Sequence, residues 1–472
     1  MDSEIIKTSA AAPVPEAKRK RSLRYSIWDG AYYAAMVGFA ETYFVPLILA
    51  LGASSFQVGI FTATPQAFVA FSQFISIFLV ENFRKRKQIA IGGVLLQASS
   101  LAFIFAKTIT GNFSPWLLVA IGSVYFAANG IVVPAWNSLI GDLTTDKDRG
   151  AYFGRRNSIS GPISFGALVV GGLILQHFSG NKESLTGFSI IIAIALASRI
   201  GSAYSLFRHF DVPYIRVKDS YFTFIQFLRR SPKSNFAHFV FFQGLMSFAV
   251  QMSSPFFAVY MLKDLEFSYL QYTIAQGTFQ IVQFMMMRQW GPLSDRFGNR
   301  LIIRVTGLVL PVLPLLWLLS KNIYIIVFIQ IISGITWAGW LLSTANFVFD
   351  AVTPAKRARC AAYLNFFNSI GIFFGSILGG FLSIHAVKVI DTGALTITFF
   401  SGLEFIFVLS GVLRMIFVFF FIPTIREVRK VEKTEIKNLF LMLAHIRPLT
   451  GSHFVPYTGK VNEASKNNGN TN

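Results

Sequence analysis

Glu41 is the carboxylate in this chain whose position most demands a chemical explanation. It lies about thirteen residues into an apolar run that starts near residue 28, at a depth where hydrocarbon is expected. An ionised side chain there is costly unless it faces a partner or a water-filled cavity. A carboxylate so held can take up and release a proton or balance a cationic solute. It can equally serve as a hydrogen-bond acceptor between helices. Arg199 and Arg414 sit in two further apolar runs and need acceptors or a route to the surface. Were Arg199 to reach Glu41, the carboxylate would stay ionised and proton coupling there would weaken.

Neutral polar side chains form stripes at helical spacing. Gln243, Ser247, Gln251 and Ser254 fall at i, i+4, i+8 and i+11; Gln276, Gln280 and Gln283 share a second face, and Gln66 and Gln73 lie seven apart on a third. Amides in hydrocarbon seek partners, so these faces point at a cavity or at one another. Trp337, Trp340 and Thr344, at i, i+3 and i+7, form either a core stripe or a surface on which an aromatic solute can stack. Asn129, Trp136 and Asn137 add polar atoms to a fourth run.

The chain has no G-x4-G-K-[ST] phosphate loop and no H-E-x-x-H, and His177, His209, His238, His385, His445 and His453 are too scattered to suggest a metal site. A single cysteine, Cys360, rules out a disulfide framework. No metal, cofactor or enzymatic activity is expected.

The elements that must position these residues are membrane spans. Hydrophobic residues make up 53% of the chain and DEKR 14%, against a usual ~25%. Stretches of 20 or more residues without charge, such as 322–349, are long enough to cross a bilayer, and backbone in lipid must bond to itself as helix. Twelve spans are expected near 28–50, 56–81, 88–107, 114–140, 156–177, 187–208, 236–262, 267–288, 301–320, 322–349, 362–384 and 396–422. The fold class is therefore all-α and polytopic, with twelve transmembrane helices in two six-helix bundles.

The net charge of +20 sits on one side of this topology: 34 of the 42 Lys and Arg residues fall in the tails and the loops after even-numbered spans, and five in the other loops. Positive charge collects on the cytoplasmic side, so both termini are expected there, in a multi-pass protein of the cytoplasmic (inner) membrane. The same charge meets anionic lipid and leaves no need for a nucleic-acid partner. The expected layout is a disordered basic tail over 1–24, a bundle over 25–210, a linker over 211–235 with an interfacial helix at 219–230, a second bundle over 236–425, and a tail over 426–472. Residues 434–446 are a further candidate for an interfacial helix.

The halves echo one another. YFGRRNSI at 152–159 and YLNFFNSI at 363–370 share Tyr-x4-Asn-Ser-Ile at an offset of 211, and Gly187 and Gly402 each precede an arginine, Arg199 or Arg414, by twelve residues. A repeat across an even number of spans relates the halves about the membrane normal. That duplication favours a shared scaffold role for the two arginines.

Gly291-Pro-Leu-Ser-Asp295-Arg296-Phe-Gly298-Asn-Arg300 resembles the loop motif G-x-x-x-D-R-x-G-R/K-R/K of the major facilitator superfamily. The matching place in the first half, SIFLVENFRKRKQ from residue 76, keeps an acid and a basic run and lacks the glycines and the Asp-Arg pair. Asp142 with Arg149, and Asp350 with Arg357, resemble the acidic and basic partners placed after spans 4 and 10. The resemblance covers residues 25–425 and implies alternating access between two bundles, spans 1, 4, 7 and 10 around a central cavity, and these charged residues as a gate. Gly161-Pro162 resembles the helix 5 element of antiporters in this superfamily. The expected function is secondary transport of a small organic solute or xenobiotic by a monomer, driven by a proton or other coupling ion. A non-transporting membrane sensor or scaffold and a lipid-handling carrier stay open as alternatives.

Overall fold

A computed structural model describes residues 15–144, 148–179, 184–211, 227, 229, 234–352, 357–385, 389–391, 396–429 and 431–432. Twelve helical spans run through it: α1 (Glu16–Ala50), α2 (Ser55–Phe83), α3 (Arg86–Thr110), α4 (Pro115–Leu143), α5 (Arg149–His177), α6 (Ser184–Phe207), α7 (Asn235–Asp264), α8 (Tyr269–Phe297), α9 (Asn299–Leu316), α10 (Ile323–Ala351), α11 (Arg357–Ile384) and α12 (Gly402–Phe421). Among the described residues eleven helices are long and apolar enough to cross a membrane on length and composition alone. The twelfth, α8, has the length but carries the glutamine stripe. We call the end where α1 begins and α12 finishes the terminal face, and its opposite the far face.

Helix starts repeat between the halves. Ser54 before α2 and Ser268 before α8 each accept a hydrogen bond from the backbone N–H three residues on, and Gln57 or Gln271 accepts one in return from the serine N–H. Helix pairing repeats as well. In the first bundle α1 packs on α5 and α6, α4 on α2 and α3, and α3 on α6; in the second, α7 packs on α11 and α12, α10 on α8 and α9, and α9 on α12. The halves meet along two seams, α2 with α11 and α5 with α8, which the same repeat relates.

Several boundaries move from their expected places. The helix of α1 starts at Glu16, inside the segment expected to be disordered, because its alanines, lysines and arginines favour helix and Lys20 pairs with Glu16 one turn away at 2.6 Å. Helix α8 runs on to Phe297, so Gly291 to Phe297 are helix and not loop. Residues 396–398 precede α12 as a strand, pairing antiparallel with 389–391 in the register Val389↔Thr398, Ile390↔Ile397 and Asp391↔Thr396; β-branched residues suit that ladder. Of the interfacial helix expected at 219–230 only Phe227 and Arg229 are described, both helical; residues 434–446 lie outside the described residues.

The apolar core is unevenly shared. One large cluster at the far face draws on both halves, with Tyr43, Phe44 and Leu47 beside Phe256, Tyr260 and Tyr272. Toward the terminal face each half keeps its own cluster, around Phe239, Trp340 and Phe347 in the second and around Leu139, Leu143 and Tyr152 in the first.

Within the second half α7 and α11 touch backbone to backbone. A Cβ at Gly371, Gly375 or Gly379 would strike the carbonyl oxygen of Gly244, Phe248 or Met252. Gly375→Ala is expected to lower the thermal midpoint of the detergent-solubilised protein, at a cost of about 1–3 kcal/mol. Gly291→Ala, where no atom lies within 4 Å, should leave it unchanged or raise it. Tryptophan fluorescence melts of both variants compare the two directly.

Candidate functional site

The break in α1 creates the first half of the site. Pro46 has no N–H to give the carbonyl of Thr42, and the helix stops at Phe39, passes through a tight turn at Glu41–Tyr43, and resumes at Phe44. Glu41 therefore sits on a turn at mid-span and not on a continuous helix. Its Oε1 accepts a hydrogen bond of 2.8 Å from the hydroxyl of Tyr125 on α4. The two residues that follow it reach the other half. The orphaned Thr42 carbonyl accepts from Tyr272 at 3.2 Å, and the Tyr43 hydroxyl lies 3.1 Å from Thr273 Oγ1 while donating to the Leu168 carbonyl.

Arg199 does not bond Glu41. Its guanidinium donates to Gln97 on α3 and to Ser202 at 3.0 Å, and Ser202 in turn donates to Asp29 on α1 at 2.6 Å. The ring of Tyr33 lies 5.1 Å from the guanidinium carbon. Buried positive charge in the first half is thus answered by a buried carboxylate, Asp29, through one hydroxyl. Arg414 has a different setting. Pro314 frees the carbonyl of Leu310, and Arg414 donates to it at 3.0 Å, to Ser253 Oγ at 2.8 Å and to the Val250 carbonyl at 3.4 Å.

A cavity of about 420 Å³ opens beside Arg414, walled by α7, α8, α9, α10 and α12. Gln251, Gln276, Gln283 and Trp337, all singled out by spacing, line it together with Ser254, Gln330, Ser333, Phe257, Phe279 and Trp317. Other candidates lie elsewhere. Trp340 is buried in the core, edge-on to Phe242, because helical phase turns it away from Trp337. Gln243 is buried, Gln280 donates across the seam to Ser164 at 3.3 Å, and Gln66 and Gln73 belong to α2, which contributes nothing to this wall.

At the terminal face two acidic residues, Asp142 and Asp350, each take an arginine of their own half. Arg86, buried at the start of α3, holds Asp142 at 2.6 Å and donates to Ser138. In the second half Asp350 takes Arg429 at 3.0 Å and the Asn299 amide at 2.6 Å, while Arg429 also lies 3.7 Å from Asp295 and donates to the Ser294 carbonyl. The segment after α12 is thus strapped across the α8–α9 corner, where Gly298 at φ +87° makes the turn and Glu427 accepts from the Arg300 N–H at 2.8 Å. Arg296 lies over the Phe297 ring at 5.0 Å. Gly291 brings no helix close, and Asp295 lies beside Arg429 of its own half. The side chains of Arg149 and Arg357 lie outside the described residues.

At the far face the halves are bound. Besides the Tyr43–Thr273 and Tyr272–Thr42 contacts, Lys263 donates to the Ala53 carbonyl, and the Leu270 N–H donates to Gln176 Oε1 at 3.1 Å. Gly59 and Gly380 bring α2 and α11 into backbone contact there. Spacing missed Tyr125, Gln97, Tyr43, Arg86 and Arg429; Pro46 and Pro314 are readable as orphaning carbonyls inside apolar runs, but they share that signal with prolines such as Pro65, Pro134 and Pro255, whose helices run on unbroken.

A family model described as Major Facilitator Superfamily matches residues 31–233 and 239–459. An efflux pump of Aspergillus niger, azaK, is 28% identical over 109 residues, 23% of this chain and 23% of its own length. An uncharacterized transporter of Buchnera aphidicola is 28% identical over 148 residues, 30% of this chain and 35% of its own. These matches span about a quarter to a third of the curated relatives. Among solved structures, a bacterial homologue of the human lysosomal transporter Spinster, inward-facing and unoccupied, aligns with a TM-score of 0.65 at 15% identity, over 88% of this chain and 98% of that one. A mutant of the nucleoside transporter NupG aligns at 0.64 and 15% identity, over 86% and 100%.

The Tyr43 hydroxyl joins the halves only where they touch. Tyr43→Phe is expected to shift the population toward a state open at the far face, by up to about 1–2 kcal/mol for the lost hydrogen bonds. Spin labels across the two halves at that face should report a longer distance component, and an unchanged distribution would show that the latch lies elsewhere.

Proposed function

Because the chain belongs to the major facilitator superfamily, we propose that it moves a small organic solute across the cytoplasmic membrane by alternating access, coupled to a proton at Glu41. One observation carries the reading: the halves share one apolar cluster at the far face but keep separate clusters toward the terminal face, and the second half holds a cavity lined with amides and aromatic rings. The excess of Lys and Arg in the terminal-face loops supports a cytoplasmic side for that face and for both termini. The conformation is then open inward. The lining offers neutral amides, hydroxyls and ring faces, which suit binding and release of a solute better than covalent chemistry.

Glu41 stands on the turn that also carries the far-face latch. In the ionised state it holds the Tyr125 hydroxyl, and taking up a proton alters the acceptor at that bond. Any change in the turn is felt by Thr42 and Tyr43, whose partners are Tyr272 and Thr273. A proton at Glu41 thereby biases whether the halves stay joined at the far face. At the terminal face the exposed Asp295 and the Asp142–Arg86 and Asp350–Arg429 pairs are the gate. They hold each half rigid while it rocks, and Asp295 is accessible to a cation of the other half on closure. Such pairs, partly open to water, bias a conformational balance by a few kcal/mol at most. Arg199 and Arg414 hold the helices of their own halves together, and the chain acts as a monomer among anionic lipids.

Purified protein in liposomes with an imposed pH gradient tests the coupling. The gradient should drive solute accumulation, and Glu41→Gln should reduce gradient-driven accumulation by about tenfold or more while leaving exchange at equal pH. Accumulation indifferent to both the gradient and Glu41→Gln would remove the proton from the mechanism.

A further inference from the structure

We infer that the second-half cavity is an oxyanion site, and that its solute is an aromatic carboxylate whose charge is received by Arg414. The inference deepens the transport reading and rests on it for the cavity's role. Arg414 is 2% exposed and lines the cavity. Its three recorded acceptors are two backbone carbonyls and a hydroxyl, and its Nε has none. Among the described residues no carboxylate forms an ion pair with it. Glu404, on the same helix ten residues earlier, is occupied by the Tyr260 hydroxyl at 2.8 Å and the Phe400 N–H at 3.0 Å.

Partial charges on carbonyls do not cancel a buried guanidinium. The contrast with the repeat-related Arg199 sharpens this, since that arginine reaches Asp29 through Ser202. One half thus carries its own counter-charge and the other carries a cation beside a cavity. A carboxylate entering there would gain a charge-assisted hydrogen bond and supply the missing negative charge. The rest of the wall selects what the carboxylate is attached to: Trp317, Trp337, Phe257 and Phe279 offer ring faces and edges, and Gln251 and Gln276 offer amides for a second polar group. A volume of about 420 Å³ suits a molecule of one or two rings.

Binding is measured apart from flux, with purified full-length protein in nanodiscs. Benzoate and 4-phenylbutyrate are compared with benzamide and benzylamine by thermal shift and titration, and laurate distinguishes a fatty acid entering from the bilayer from a water-borne solute. The carboxylates should raise the melting midpoint and bind about tenfold or more tightly than the isosteric amide, the ratio expected for a hydrogen bond to a charged group. Gln251→Glu, which supplies a carboxylate on the same wall, should abolish the response to benzoate without disturbing the Leu310 and Ser253 contacts of Arg414. Arg414→Lys should weaken it. Carboxylates that give no shift, or none beyond the amide, overturn the site, as does an undiminished benzoate response in Gln251→Glu. Carboxylate binding with no flux would leave the site standing and remove the transport reading. Flux of neutral or cationic solutes with no carboxylate preference would do the reverse.

Discussion

Inside a bilayer no water is present to satisfy a carbonyl that a helix leaves unbonded, and this chain breaks two of its spans inside the bilayer. Pro46 orphans the carbonyl of Thr42 and Pro314 that of Leu310. Each is taken up by a side chain from elsewhere in the fold, Tyr272 in the first case and Arg414 in the second. These two bonds tie the local chemistry of proline to the global arrangement. The first makes a break in α1 part of the contact between the halves. The second places a cation beside a cavity, because only a long donor could reach from α12 into the break in α9. The break that carries Glu41 and the carbonyl that Arg414 reaches both stand at a proline.

The halves share one framework and differ in what they bury. Helix pairings recur six spans on, and the Ser-Gln capping device recurs at the starts of α2 and α8. Within that common frame the first half holds Asp29, Arg199 and Glu41 in contacts that answer charge with charge or with a phenol hydroxyl. The second half also answers a buried carboxylate, Glu404, with a phenol hydroxyl, that of Tyr260, but leaves its buried Arg414 to carbonyls and a hydroxyl beside a wall of amides. Duplicated scaffolds allow this: the pairing of helices depends on small residues and apolar stripes, which leaves the polar positions free to diverge.

Much of the frame was legible because it rests on strong signals. Span number, the six-plus-six division and the depth of Glu41 follow from hydropathy and from the repeat. Half of the cavity was legible too, since Gln251, Gln276, Gln283 and Trp337 lie at helical spacing and do face one space. What failed was phase and partnership. Trp340 is three residues from Trp337, about 300° around a helix, and that offset is enough to turn it into the core. Partners distant in sequence, such as Tyr125 for Glu41 or Arg429 for Asp350, leave no trace in local pattern. Arg429 in particular read as tail charge, and its role depends on the chain folding back over the α8–α9 corner.

The seams between the halves change character along their length. Along α2 and α11 the contact at the far face is glycine on glycine, Gly59 against Gly380, and along α5 and α8 it is Gly172 against Thr273. Small residues let backbones approach without interlocking side chains, so little has to unlock when the angle between the bundles changes. Farther along α5 and α8 the contact changes character, to Gly161 against the Phe284 ring and Ser164 against Gln280. A ring and a long amide can follow a moving partner by changing rotamer, where a close backbone contact must separate. The seams therefore combine a tight end with a compliant one. The tight end adjoins the Tyr43 and Tyr272 hydrogen bonds, so the hydrogen bonds between the halves lie where their backbones approach closely.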